Sequence, residues 1–209
     1  MKRLIQLSIF VILMVSCAPQ MMSTWDKPNY TAPVQDKILV MAISNNLQVR
    51  QSLENEIVAA LKEKLPNKSY VTGLTIFPPN IDLSKMSEAQ IEEKVKSYHP
   101  TAVLTSCIIN NYESSEYNMS EPTYIPRYFR YGRYVYRSYE VINTPGYYST
   151  NQNFVLESNL FDAKEGNNPE EAMVWKGQSE ITNPSSVASG ARSYAKNLVN
   201  YLVSQQKIK

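Results

Sequence analysis

The chain has 209 residues, 43% hydrophobic and 19% charged, with 21 Lys and Arg against 19 Asp and Glu. A formal net charge of +2 excludes the bulk basicity on which non-specific nucleic-acid binding depends. One histidine and two cysteines are too few for a His/Cys zinc site, and six glycines form no Walker-type or dinucleotide-type turn.

Residues 1–16 read as an export signal. Lys2 and Arg3 form a cationic head, and Leu4 to Val15 is an apolar run broken only by Gln6 and Ser8. The run is shorter than the roughly 20 apolar residues needed to span a bilayer, and its anatomy is that of a secretory h-region. It ends in Met14-Val15-Ser16-Cys17, which resembles a lipobox, with Met14 where leucine is commoner. The resemblance implies cleavage before Cys17 and a diacylglycerol on its sulfur, hence a membrane partner. Loss of Lys2 and Arg3 takes the 21 basic residues to 19, equal to the 19 acids, so the mature chain is neutral. Residues 17–33 read as the lipidated terminus and a flexible polar tether. Ala18 rather than an acid follows Cys17. By resemblance to sorting signals this points to the outer membrane, facing the periplasm.

Residues 34–209 are long enough for a single domain with its own core. Lys37 to Ser44 is a continuous apolar run, expected as a central strand buried on both faces. Val49, Leu53, Ile57, Leu61 and Leu65 recur every four residues, predicting an amphipathic helix from Leu47 with Arg50 and Glu54 off its stripe. A second strand is expected from Tyr70 to Phe77. Ser87 with Gln90 reads as a capping box before a short helix ending ahead of Pro100. Thr101 to Asn110 is the third buried strand, holding Cys107 as a small buried hydrophobe. Asn153–Ala163 and Ala172–Ile181 read as two further strands. Asn183-Pro184 is expected to open the last helix, with Val187, Ala191, Tyr194, Ala195, Leu198 and Leu202 on its buried face. The fold class is α/β: a single mixed sheet of about five strands in the order β-α-β-α-β-β-β-α, with about three helices and a Tyr-rich insert at 112–150.

This element order resembles the small periplasmic lipoprotein domains of curli-secretion proteins. It is also similar to penicillin-binding-protein activators and to the amino-terminal domain of the Tol system's TolB protein. The local phrase carrying the resemblance is Leu160-Phe161-Asp162-Ala163-Lys164-Glu165-Gly166 followed by Val174-Trp175-Lys176-Gly177. It looks like the strand, Asp-Ala-turn-Gly, strand, Trp-x-Gly pattern of such lipoproteins. The phrase carries no catalytic motif, so the resemblance implies a fold and a compartment and no reaction.

Any triad would have to use His99, which sits before Pro100 at a helix end, where histidine commonly meets the last carbonyls. No carboxylate pair is singled out, no cofactor is implied, and the chain reads as non-enzymatic. Ten of the fifteen tyrosines fall between Tyr112 and Tyr148, interleaved with Arg127, Arg130, Arg133 and Arg137. Three readings of this segment stand open: packing on the domain's own surface, a binding surface for an envelope protein or glycan, and an oligomerisation or membrane-touching hairpin. Tyrosine and arginine supply large contact area with polar ends. A strand from Arg130 to Val141 would put Arg130, Tyr134 and Tyr136 on one partner-facing side. The expected function is a membrane-anchored accessory or binding module of the cell envelope. The alternatives are a structural subunit of an envelope assembly or secretion complex, or an envelope hydrolase. The sequence sets no oligomeric state.

Overall fold

The computed structural model describes residues 21–81, 85–118, 123–131, 134–142, 147–163 and 169–209. Two compact units are present: one runs to Asn110 and resumes at Phe154, and the other is Asn111–Asn153. Cys17 lies outside the described residues.

The first unit is built on an α/β pattern. Its elements are β1 (Met21–Asp26), β2 (Lys37–Ile43), α1 (Leu47–Lys64), β3 (Ser69–Thr72), the single turn α2 (Gly73–Ile76) and α3 (Glu88–Lys96). β4 (Ala102–Asn118) and β7 (Tyr147–Asp162) each have residues in both units, and α4 (Pro169–Ala172), β8 (Met173–Thr182) and α5 (Val187–Ser204) complete the chain. One six-stranded sheet has the order β1-β8-β7-β4-β2-β3. β2 lies parallel to both β3 and β4, and β1 is antiparallel to β8. β7 returns antiparallel to β4: Ala163 donates to the Thr101 carbonyl while Ser106 meets Ser158. The sheet is therefore mixed, as expected.

The apolar run of β2 is buried on both faces because helices cover both. Ile38, Val40 and Ala42 join Ala102, Leu104, Leu156 and Leu160 in a core closed by Leu53, Ile57 and Leu61 of α1 and Ala191, Tyr194, Leu198 and Leu202 of α5. Leu39 faces the other way, against Ile76 and Phe77, with Met41, Val71, Ile91, Val95 and Val103 around them. Each fully buried Leu or Ile contributes roughly 1.5–3 kcal/mol relative to exposure, so the four-residue stripe of α1 is a principal source of stability. Asn46 caps α1 by accepting from the amides of Gln48 and Val49. Ser87 and Gln90 form the reciprocal capping box at α3.

Several elements differ from the expectations. Met21–Asp26, expected within the tether, is an edge strand paired with β8. The strand expected to reach Phe77 stops at Thr72, whose hydroxyl accepts from the Thr75 amide and starts α2. Glu54, placed off the helix stripe, is fully buried. The last helix is capped by Ser186 in a capping box with Ser189, because Asn183 takes a positive φ of 48° that turns the chain before the helix begins. Val187 is exposed, while the other five residues of the expected stripe are buried.

In the second unit, β5 (Thr123–Tyr131) and β6 (Tyr134–Ile142) form a two-stranded antiparallel ladder. The insert is thus strand-rich rather than a plain loop.

Candidate functional site

The three residues named from sequence as a partner-binding set lie in this ladder, and of these the structure describes the backbone. The expected single strand from Arg130 to Val141 is two strands. Arg130 belongs to β5 and pairs with Val135, whereas Tyr134 and Tyr136 belong to β6 and pair with Tyr131 and Phe129. Residues directly opposite in an antiparallel ladder share a row, and successive rows alternate. Arg130 therefore falls in a different set of rows from Tyr134 and Tyr136. Aromatic residues pair across the ladder at Phe129 with Tyr136 and at Tyr131 with Tyr134. Elsewhere in this unit Tyr117 and Tyr148 stack with centroids 4.9 Å apart, tilted by 51°, and both are exposed. The Asn153 amide, itself buried, donates to the Ser114 hydroxyl at 2.8 Å. The exposed pair Tyr117 and Tyr148 was not singled out from sequence, although its composition is the same signal that marked the insert.

Along β7 and β8 of the first unit, strand alternation separates a helix-covered face from a polar one. Trp175 points to the helices, with its ring 5.8 Å from that of Tyr201, and is fully buried. Lys176, one residue on, lies on the opposite face and pairs with Glu157 at 2.8 Å, while Gln178 donates to the other carboxylate oxygen at 2.9 Å. Burial opposes the charge on Glu157, but bonds from Lys176, Gln178 and Asn159 outweigh it, holding the carboxyl below its ordinary range. Cys107 is half-buried rather than fully buried as expected. Burial, aided by the Glu157 charge, pushes its thiol up, and Lys176 partly offsets this. The protonated thiol is a weak nucleophile. Trp25 stands opposite Lys176 in the β1–β8 register and is 46% exposed. Period-two alternation in β7 and β8 is the signal that would have found Glu157, Lys176 and Gln178. Trp25 had none, since its stretch read as tether.

Two buried polar groups serve the fold. Glu54 accepts from the amides of Ala42 at 3.1 Å and Leu74 at 2.7 Å and from Arg50 at 3.3 Å, joining β2, α1 and α2. Burial raises its pKa against these donors. The Tyr194 hydroxyl meets Ser158 at 2.5 Å, and Ser158 meets Ser106 at 2.6 Å. Burial pushes the Tyr194 phenol up to about 12, so it stays neutral at any physiological pH. A cavity of about 200 Å³ lies beside Asp26, Lys27, Tyr30, Trp175 and Lys207. Its wall is tied by the Asp26–Lys207 ion pair at 2.6 Å and by the Tyr30 hydroxyl donating to Asp162 at 2.7 Å. His99, at a positive φ of 49°, donates its amide to the Lys96 carbonyl. Among the described residues no three His, Cys, Asp or Glu side chains converge on one point, and no helix is long and apolar enough to cross a membrane.

No protein-family model matches the sequence, and no curated protein matches it. Solved structures similar to it at low identity include these three. The PelC dodecamer from Paraburkholderia phytofirmans is 12% identical, with 90% of this chain and 99% of that chain covered and a TM-score of 0.42. The lipoprotein GNA1162 from Neisseria meningitidis is 14% identical, over 84% of this chain and 99% of that one, with a TM-score of 0.41. A PDZ domain protein from Parabacteroides distasonis is 11% identical over 93% of this chain and 39% of that one, with a TM-score of 0.33. At this level of similarity none of them carries an argument about what this chain does.

Proposed function

We propose that the chain is a lipoprotein of the cell envelope, anchored through lipid on Cys17, and that it acts as a non-enzymatic accessory or binding module. The observation carrying this reading is the succession Lys2-Arg3, the apolar run to Val15 and Met14-Val15-Ser16-Cys17. Ala18 after Cys17 favours the outer membrane, facing the periplasm. The non-enzymatic part is supported by the state of the shifted groups. Glu54 is engaged by three donors, Glu157 is held ionised by Lys176, Gln178 and Asn159, Cys107 is held as thiol and Tyr194 is sealed in a hydroxyl cluster. In each case the polar atoms are engaged by neighbours of the fold or the reactive form is disfavoured. An envelope protein or glycan is the proposed partner, met by the Tyr-rich unit.

Metabolic labelling with a fatty acid tests the anchor. The wild-type chain should take label and Cys17→Ser should not, accumulating instead as unprocessed precursor. A wild-type chain without label ends the lipoprotein reading.

A further inference from the structure

We propose that the β1 edge of the sheet rests on the membrane surface, with Trp25 and Met22 seated among the lipid headgroups. This rests on the lipid anchor at Cys17. The argument begins with chain length. Four residue steps separate Cys17 from Met21, where β1 begins. A fully extended chain of that length reaches at most about 14 Å. A tether running to residue 33 would have allowed several times that distance. Acyl chains on Cys17 hold that residue at the headgroup layer, which is about 6 Å deep in each leaflet. The start of β1 is therefore confined close to the bilayer.

What β1 displays suits that position. It is the outer strand of the sheet, paired along one side with β8. Trp25 is 46% exposed, and Met22, at the irregularity between Met21 and Ser23, is 57% exposed. Tryptophan concentrates at the membrane–water interface, where its ring is shielded and its N–H remains hydrated. An edge strand also carries outward-facing amides and carbonyls. The hydrocarbon core would leave these unsatisfied, whereas the headgroup layer supplies water and phosphate. Edge-on contact in that layer answers both requirements.

The experiment uses the full-length lipidated protein in vesicles of phosphatidylethanolamine and phosphatidylglycerol containing brominated phosphatidylcholine. The chain has two tryptophans, and Trp175 is fully buried, so contact quenching reports on Trp25. Bromolipid should quench and blue-shift the Trp25 emission, and aqueous iodide should not reach it. Lipidated Trp25→Phe should float with the vesicles as the wild type does and lose most of the quench. Three results overturn the proposal. Protein that floats while iodide quenches Trp25 means that the domain stands off the membrane, although the anchor reading survives. Exclusion of iodide without bromolipid quenching means that a second copy of the chain covers β1. Protein without a lipid mass on Cys17 that fails to float removes the anchor reading and this proposal together.

Discussion

The indole of Trp175 lies across Gly177, two residues along the same face of β8, so closely that a Cβ at 177 would collide with the ring. The Met21 side chain closes on the same point from β1. This contact gives the Trp-x-Gly phrase a physical reason: a side chain at the third position would compete with the indole for space in the core. Gly177→Ala should therefore destabilise the fold despite the better strand propensity of alanine. The expected loss is about 1–3 kcal/mol, typical of overpacking, read as a drop in denaturation midpoint. A neutral or stabilising result would mean that the indole can move aside at little cost.

What could be read from the sequence divides by the range of the interaction. β2, α1, the Ser87 capping box and the α5 stripe follow from periodicity and local hydrogen bonding, and all four stand in the structure. β1 was missed because Met-Met-Ser-Thr-Trp-Asp has no alternation, and its strand form depends on pairing with residues 175–179, far along the chain. Glu54 was misplaced because an acid on a helix usually marks the solvent side. Here two backbone amides and Arg50 replace water. Composition set the insert apart, and the structure makes it a separate compact unit, but a one-strand register for Arg130, Tyr134 and Tyr136 ignored the reversal between 131 and 134 that puts them in two strands.

Glu54 and Glu157 should shape the pH dependence of stability in opposite senses. Glu157 has a lowered folded pKa. Its contribution is present above the ordinary glutamate range and is lost as pH falls through the folded value. Glu54 has a raised folded pKa, so its term is most favourable below the ordinary range and is lost as pH rises through its elevated value. Chemical denaturation at a series of pH values should show Glu157→Gln with a flatter acid limb than wild type. Glu54→Gln should cost about 1–3 kcal/mol near neutrality, because its amide group would face an N–H donor that the carboxylate now accepts from. An acid limb unchanged in Glu157→Gln would show that the Lys176 pair contributes nothing measurable.

Cys107 should react with a thiol reagent, since it is half-exposed, but slowly at neutral pH and faster as the solution becomes alkaline. The neighbours set the direction of each change. Removing the positive charge in Lys176→Ala should raise the thiol pKa further and slow labelling. Removing the negative charge in Glu157→Gln should lower it and speed labelling. Measured rates that move together in both variants would point to altered access rather than charge.

The ladder register separates two ways in which the Tyr-rich unit would meet a partner. Tyr134 and Tyr136 sit in the rows of Tyr131 and Phe129, and Arg130 sits in the row of Val135. A partner lying flat on one side of the ladder would engage one set of rows and leave the other in water. Tyr134→Ala with Tyr136→Ala should then abolish capture of crosslinked envelope partners while Arg130→Ala leaves it intact, or the reverse. If these rows meet a partner, the main unfolding transition should stay within about 0.5 kcal/mol of wild type, as surface substitutions usually do. Equal loss in both variants would mean that the partner grips both sides of the ladder. Capture unaffected by all three substitutions would move the binding surface away from the ladder, with Tyr117 and Tyr148, the exposed stacked pair of the same unit, as the next residues to replace.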